Sequence, residues 1–249
     1  MLSFTLVMLA ALPEAGSTWK WSFDDTRVVK LESGPKGLSL HALPHLEKTE
    51  LELSIEELGE EAPKRFTMKV LRGPRKLAGR TWKVTSNYGE AGLSEVAGKK
   101  KALDENDDPA VEERVLQRLV GTLFSPDPIV VASAGEDRCG EATRAKVATA
   151  AAKLVGRLTL AHSEEAKIIG ASATCVGSAG KYALTFTISS MFEDQVVEFP
   201  WQGTAESPAG AWRSTLQLSS VATNEIQTGK KAIRMKTTSG LKSALTKKK

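Results

Sequence analysis

Histidine and cysteine are scarce in this chain, and their scarcity removes whole classes of chemistry. Among 249 residues there are three histidines and two cysteines. Few Ser–His pairings are therefore available, and no G-x-S-x-G occurs, so serine-nucleophile catalysis has no local signature. Neither Cys139 nor Cys175 sits in a C-x-x-C, which leaves dithiol redox chemistry and a thiolate zinc site without theirs. No stretch reaches the roughly 20 apolar residues that a membrane-crossing helix needs. Acids are missing from one region: after Glu225 there are eight basic residues and no carboxylate side chain.

What is present is ordinary globular material, 41% hydrophobic and 26% charged, which excludes wholesale disorder and fibrous repeats. The formal charge is +4, but residues 1–225 are mildly acidic and the excess lies in Lys230–Lys249. An anionic partner therefore concerns that segment alone. Lys230, Arg234 and Lys236 point outward from a last or edge strand, where lysines block sheet-to-sheet aggregation. Residues 241–249, including Lys247, Lys248 and Lys249, read as a basic disordered tail. Attraction of these residues to an anionic envelope surface is one expectation. Nucleic acid is not expected, because the tail lacks interleaved aromatics and the body repels phosphate.

Leu2–Leu12 is an uncharged apolar run followed by Ala15, Gly16 and Ser17, the pattern of a signal-peptide core with a small-residue cleavage site after Ser17. That assigns 1–17 to a leader and the protein to the periplasm or the extracellular space. In an oxidising compartment, Cys139 and Cys175 read as one disulfide.

Alternation is the dominant signal. Leu51, Leu53 and Ile55 face one way in Thr49–Glu56, as do Phe66, Met68 and Val70 in Arg65–Leu71, and Trp82 and Val84 in Thr81–Val84. Tyr182, Leu184, Phe186 and Ile188 share a face in Lys181–Ser189. Further candidate strands are Trp19–Phe23, Val28–Leu31, Arg157–Ala161, Lys167–Cys175, Gln195–Phe199, Ala211–Ser219 and Ala232–Thr237. One polar face on each implies antiparallel pairing. Two helices are expected in the middle. One starts at Asp108-Pro109 and stops at Gly121. The other runs from Glu141 to Val155, with Val147, Ala148, Ala151, Leu154 and Val155 inward and Gly156 as its stop. The expected fold is α+β: a mostly antiparallel curved sheet with two central helices packed on one face. A single domain over 18–240 is favoured, with a sub-boundary near 125–128.

Three local patterns fall short of sites. Asp104–Asp108 opens like a calcium loop, but Pro109 replaces its glycine and Val115 its bidentate glutamate. His41 and His45 are separated by three residues, but Pro44 breaks the helix that would align them. Gly177–Lys181 reads as a hairpin turn rather than a phosphate loop. No metal or cofactor is therefore assigned. Five tryptophans read first as core and second as a stacking face.

With an exported start, antiparallel strands and central helices, the layout resembles secreted β-rich proteins of Gram-negative bacteria. It is similar also to periplasmic lipoprotein-carrier folds, in which a curved sheet wraps helices around an apolar cavity. No residue is carried over from that resemblance; the large one-sided sheet, the Trp- and Phe-rich strands and the lack of a catalytic set point to a non-enzymatic exported binding or envelope-associated protein, in one version carrying a lipid or other apolar small molecule in a cavity lined by residues such as Trp82, Tyr182, Phe186 and Ile188. The competing expectation is a secreted hydrolase built from dispersed carboxylates or histidines.

Overall fold

The structure is a computed structural model. It describes residues 15–34, 48–58, 63–73, 77–87, 90–97, 137–159, 167–177, 180–192, 195–207, 213–228 and 231–248. The expected helix after Asp108, the calcium-like segment, all three histidines, Lys230 and Lys249 lie outside these residues.

Among the described residues there are ten strands, all but β5 following the alternation: β1 (Thr18–Ser33), β2 (Thr49–Leu58), β3 (Pro63–Arg72), β4 (Thr81–Asn87), β5 (Glu90–Ala97), β6 (Lys167–Cys175), β7 (Lys181–Phe192), β8 (Gln195–Glu206), β9 (Arg213–Thr228) and β10 (Lys231–Lys247). Among the described residues one helix, α1 (Glu141–Thr159), separates β5 from β6. All strands join a single sheet in the order β5-β4-β3-β2-β1-β10-β9-β8-β7-β6. Every pairing is antiparallel. Two meanders thus meet where the first strand pairs the last, with Trp19 opposite Lys247 and Leu31 opposite Met235.

This corrects the α+β expectation. The described chain is mostly β, and its one helix packs on β6 and β7 at one margin of the sheet. The physical reason is pairing: a ten-stranded antiparallel meander satisfies its backbone groups between neighbours and needs no crossover helices. α1 also departs from expectation at its end. It passes through Gly156 to Thr159, taking residues expected to start a strand at Arg157. A Cβ on Gly156 would lie 3.9 Å from Ile188 Cδ1, so this residue brings the helix close to β7 instead of stopping it. Tertiary packing outweighs the helix cost of a glycine.

The start of α1 is locally determined. Asp137 accepts from the Cys139 N–H through its side chain at 3.0 Å and from the Gly140 N–H through its carbonyl at 2.9 Å. The Arg144 N–H then reaches Gly140 O, beginning the helical ladder. Cys139, two residues before Glu141, is bonded to Cys175 at the end of β6 with a Cα–Cα distance of 5.5 Å. The expected disulfide is present.

The expected hairpin between β6 and β7 is also present. Val176 N–H donates to Lys181 O, and Gly177 and Gly180 take positive φ. Gly180 has φ +92, and a Cβ there would sit 2.6 Å from Ser207 O, so glycine is required.

The inner face carries the core. Trp19, Trp21 and Phe23 of β1 join Leu51, Leu53 and Ile55 of β2, Phe66, Met68 and Val70 of β3, and Trp82 and Val84 of β4 in one buried cluster. The same cluster continues through Leu241, Leu218, Trp201 and the inward residues of β7 to Val147, Ala148, Ala151 and Val155 of α1.

Candidate functional site: the inner face of the central strands

Tyr182, Phe186 and Ile188 lie together on β7, and Trp82 lies on β4, in the opposite wing of the sheet order. All four are core residues, between 1% and 3% exposed. Phe186 stacks on Trp201 with centroids 6.5 Å apart, and the Arg80 guanidinium lies over the Trp82 ring at 4.8 Å. The structure therefore brings three of the four candidate ligand residues together and leaves Trp82 apart from them.

The basic C-terminal segment is not a tail. Leu241–Lys247 form the second half of β10, which lies between β1 and β9 near the middle of the sheet. The expectations of an edge strand and of a disordered tail are both overturned. Lys236 and Lys242 occupy the solvated face of a central strand, where the sequence pattern looks the same as on an edge, whereas Lys247 stands opposite Trp19 at the parity of Leu241 and Leu245. Arg234 pairs with Glu32 at 3.1 Å, and Lys248 pairs with Glu52. Lys236 is exposed and stands opposite Lys30. Lys247, which also has an interaction partner, helps line an open cavity of about 620 Å³ with Lys248, Glu52, Gly16 and Ser17. Gly16 and Ser17 are stitched to β2 by bonds to Ile55, and the Trp19 indole N–H donates to Ser17 Oγ at 3.0 Å. A cut after Ser17 would sever these bonds.

A second open cavity, about 250 Å³, lies where β2 begins against β1 and β10, lined by Phe23, Asp24, Lys48, Thr49, Glu50 and Lys242 among others. Asp24 accepts from the Lys48 N–H at 3.2 Å. Lys20 lies 2.7 Å from Glu50, and its hydrogen bond holds that carboxyl below the ordinary range. Glu57 is lowered likewise, first by Lys64 and then by Arg65. These are ion-paired carboxylates rather than poised acids. Among the described residues no group of three or more His, Cys, Asp or Glu side chains is placed to hold a metal.

The feature that sequence reasoning missed lies on the inner face. Counting by twos along β1 gives Trp19, Trp21, Phe23, then Asp25 and Arg27. Asp25 is buried at 3% exposure and Arg27 is half-buried. Burial lowers the Arg27 guanidinium from its ordinary value, and Asp25 pulls it back up. Arg27 stands opposite Ser239, Ser239 opposite Ser220, and Ser220 opposite Trp201. A polar row thus crosses β1, β10, β9 and β8 within an otherwise apolar face, and Phe186 extends it onto β7. Ser239, Ser220 and Trp201 are all buried.

The tryptophans differ along this face. Trp19 donates to Ser17 Oγ and Trp21 to Ser243 Oγ at 2.8 Å. Trp201 Nε1 and Ser220 Oγ are buried without a hydrogen-bond partner. Native cores leave few such groups unpaired, because each forfeits its hydration. The sequence carried the signal: a charge and a serine at the apolar parity of strongly alternating strands.

Compared with known proteins, the chain matches no family model, no curated protein and no solved structure.

Proposed function

We propose that this is an exported, non-enzymatic binding protein that holds an apolar ligand against the inner face of its sheet. The observation that carries this reading is the continuity of that face: apolar and aromatic side chains run through every strand from β4 to β6 in the sheet order. Among the described elements, α1 packs chiefly on β6 and β7. Apolar sites lined by aromatic residues, with few polar groups, are the usual form of small-molecule pockets. The Cys139–Cys175 disulfide supports an oxidising compartment, periplasmic or extracellular. Among the described residues no helix is long and apolar enough to cross a membrane. Attachment through the C-terminal lysines is not part of the proposal, because Arg234 and Lys248 already serve the chain's own carboxylates.

Trp19, Trp21, Trp82 and Trp201 all lie on the inner face, which supplies the test. A saturated chain carrying bromine quenches indole fluorescence only at contact range. Titration into the folded protein is expected to give saturable quenching that competes with the unbrominated chain. Quenching that is absent, or that appears only after denaturation, would reject the reading.

A further inference from the structure

The sheet takes hold of the chain just before β1. Gly16 N–H donates to Ile55 O at 2.8 Å, and Ile55 N–H donates to Ser17 O at 2.9 Å. The Trp19 indole N–H donates to Ser17 Oγ at 3.0 Å, and Ser17 is buried. At Gly16 the chain turns, with φ +81, which glycine adopts without a Cβ clash. Ala15 and Gly16 are exposed, and both line the open cavity of about 620 Å³ with Glu52, Lys247 and Lys248. Among the described residues, Gly16 N–H is the first backbone group bonded into the sheet. The Ala15–Gly16 peptide bond therefore stands in the open, where the pairing ends.

Two cuts compete at this place. A leader peptidase cleaves after small residues that follow an apolar core. Local sequence favours a cut after Ser17, which sets Ala15 and Ser17 at the two small-residue places, whereas a cut after Ala15 sets Pro13 at the outer one. The fold reverses that preference. Removing Ser17 breaks all three bonds and leaves the buried Trp19 indole without its acceptor. Each such bond is worth roughly fivefold in the folding equilibrium, so the three together make about a hundredfold. The peptidase meets the chain unfolded, so these bonds do not guide it. They show that Gly16 and Ser17 belong to the folded domain, which removal of a leader has to spare. A cut after Ala11 would fall inside the apolar run Leu2–Leu12 itself.

Building on the reading of an exported protein, we infer that the leader ends at Ala15 and that the mature chain begins at Gly16. A membrane-bound leader peptidase adds water across the Ala15–Gly16 bond. The leader departs with the Ala15 carboxylate, and the mature chain keeps Gly16 as an ammonium. One of its protons continues the bond to Ile55 O, and the new charge enters a cavity that the Glu52 carboxylate also lines. The bonds of Ser17 to Ile55 and Trp19 survive.

The test produces the full chain, with its own first residues, in a Gram-negative host. Intact mass and N-terminal sequencing are read on the cytoplasmic, membrane and periplasmic fractions. Loss of residues 1–15 is expected, with Gly16 first, in wild type and in Ser17→Gln alike. Ser17 is the residue before the cut in the competing assignment, so a long side chain there blocks that cut and spares the one after Ala15. A wild-type start at Thr18, or upstream of Gly16, overturns the assignment and leaves the export reading intact. Uncut chain found outside the cytoplasm does the same. Uncut chain confined to the cytoplasm rejects both. If Ser17→Gln stops processing, the cut lies after Ser17 or depends on it, and the inference fails. Should Ser17→Gln be degraded, the wild-type terminus decides the matter alone.

Discussion

Tyr182 ties the core to the disulfide end of the molecule. Its ring is 1% exposed, while its hydroxyl donates to Arg138 O at 2.8 Å, next to the disulfide-bonded Cys139. The Arg138 guanidinium in turn donates to Ser207 O. Burial raises the Tyr182 pKa above 10.0, the Arg138 charge opposes that rise, and Asp137 adds to it. The folded state therefore holds the phenolic proton more tightly than the unfolded chain does. The stability this contributes is complete below pH 10, the unfolded value, and is lost as pH climbs toward the folded value. Denaturation midpoints measured across this alkaline range are expected to fall more steeply for wild type than for Tyr182→Phe. At neutral pH that variant is expected to lose about 1 kcal/mol through the unpaired Arg138 carbonyl. Equal slopes would show that the hydroxyl is not held as described. Other residues were harder to read from sequence. Treating Trp19–Phe23 and Val28–Leu31 as separate strands leaves Asp25 and Arg27 in a gap. β1 instead runs unbroken through Thr18–Ser33, and the parity then sets both charges on the core side.

Among elements, strands were the most legible, because a period of two fixes both the element and its buried face. Lys167–Cys175 was expected with the limits that β6 has, and β2, β3 and β7 differ from expectation only at their ends. β5 was missed: its sequence, EAGLSEVA, alternates too weakly to announce a strand. α1 was expected with its inward residues correct, since Val147, Ala148, Ala151, Leu154 and Val155 are all buried. Its length was not, because a Gly stop is a local rule and the contact with Ile188 is not local. The helix is held to the sheet by packing on β6 and β7 and by the disulfide at its N-terminal turn. That bond spans 36 residues, and a crosslink of this length stabilises by about 4 kcal/mol in the chain-entropy account. Replacing both cysteines by serine is expected to lower the unfolding free energy by about 3–4 kcal/mol, read from denaturant midpoints at unchanged slope. A loss below about 1 kcal/mol would mean that the unfolded chain is already constrained there.

At the scale of the whole molecule, one pairing holds two meanders together. β1 and β10 run antiparallel along nearly their full lengths, and the Lys248 N–H closes the pair on Thr18 O at 2.8 Å. No local pattern could announce this partnership, since alternation fixes which face a strand buries and says nothing about its neighbour. The basic composition of the last segment pointed to an edge or a tail, whereas the sheet uses that segment as its seam. The consequence is kinetic. The other strand pairs lie close along the chain and can zip locally, but the seam requires the two ends of the sequence to meet, and closing so long a loop carries the largest entropic barrier. Linking residue 248 to residue 16 through a short Gly/Ser segment makes β1 and β10 a local hairpin. The new ends can be opened between β5 and α1, since β5 and β6 are the two ends of the described strand order and do not pair with each other. This permutant is expected to keep the disulfide and the native circular dichroism, and to refold about tenfold faster than the parent in stopped-flow fluorescence. An unchanged refolding rate would place the slow step within one meander. A permutant that fails to fold would show that the continuous chain between β5 and α1 is needed before the seam can form.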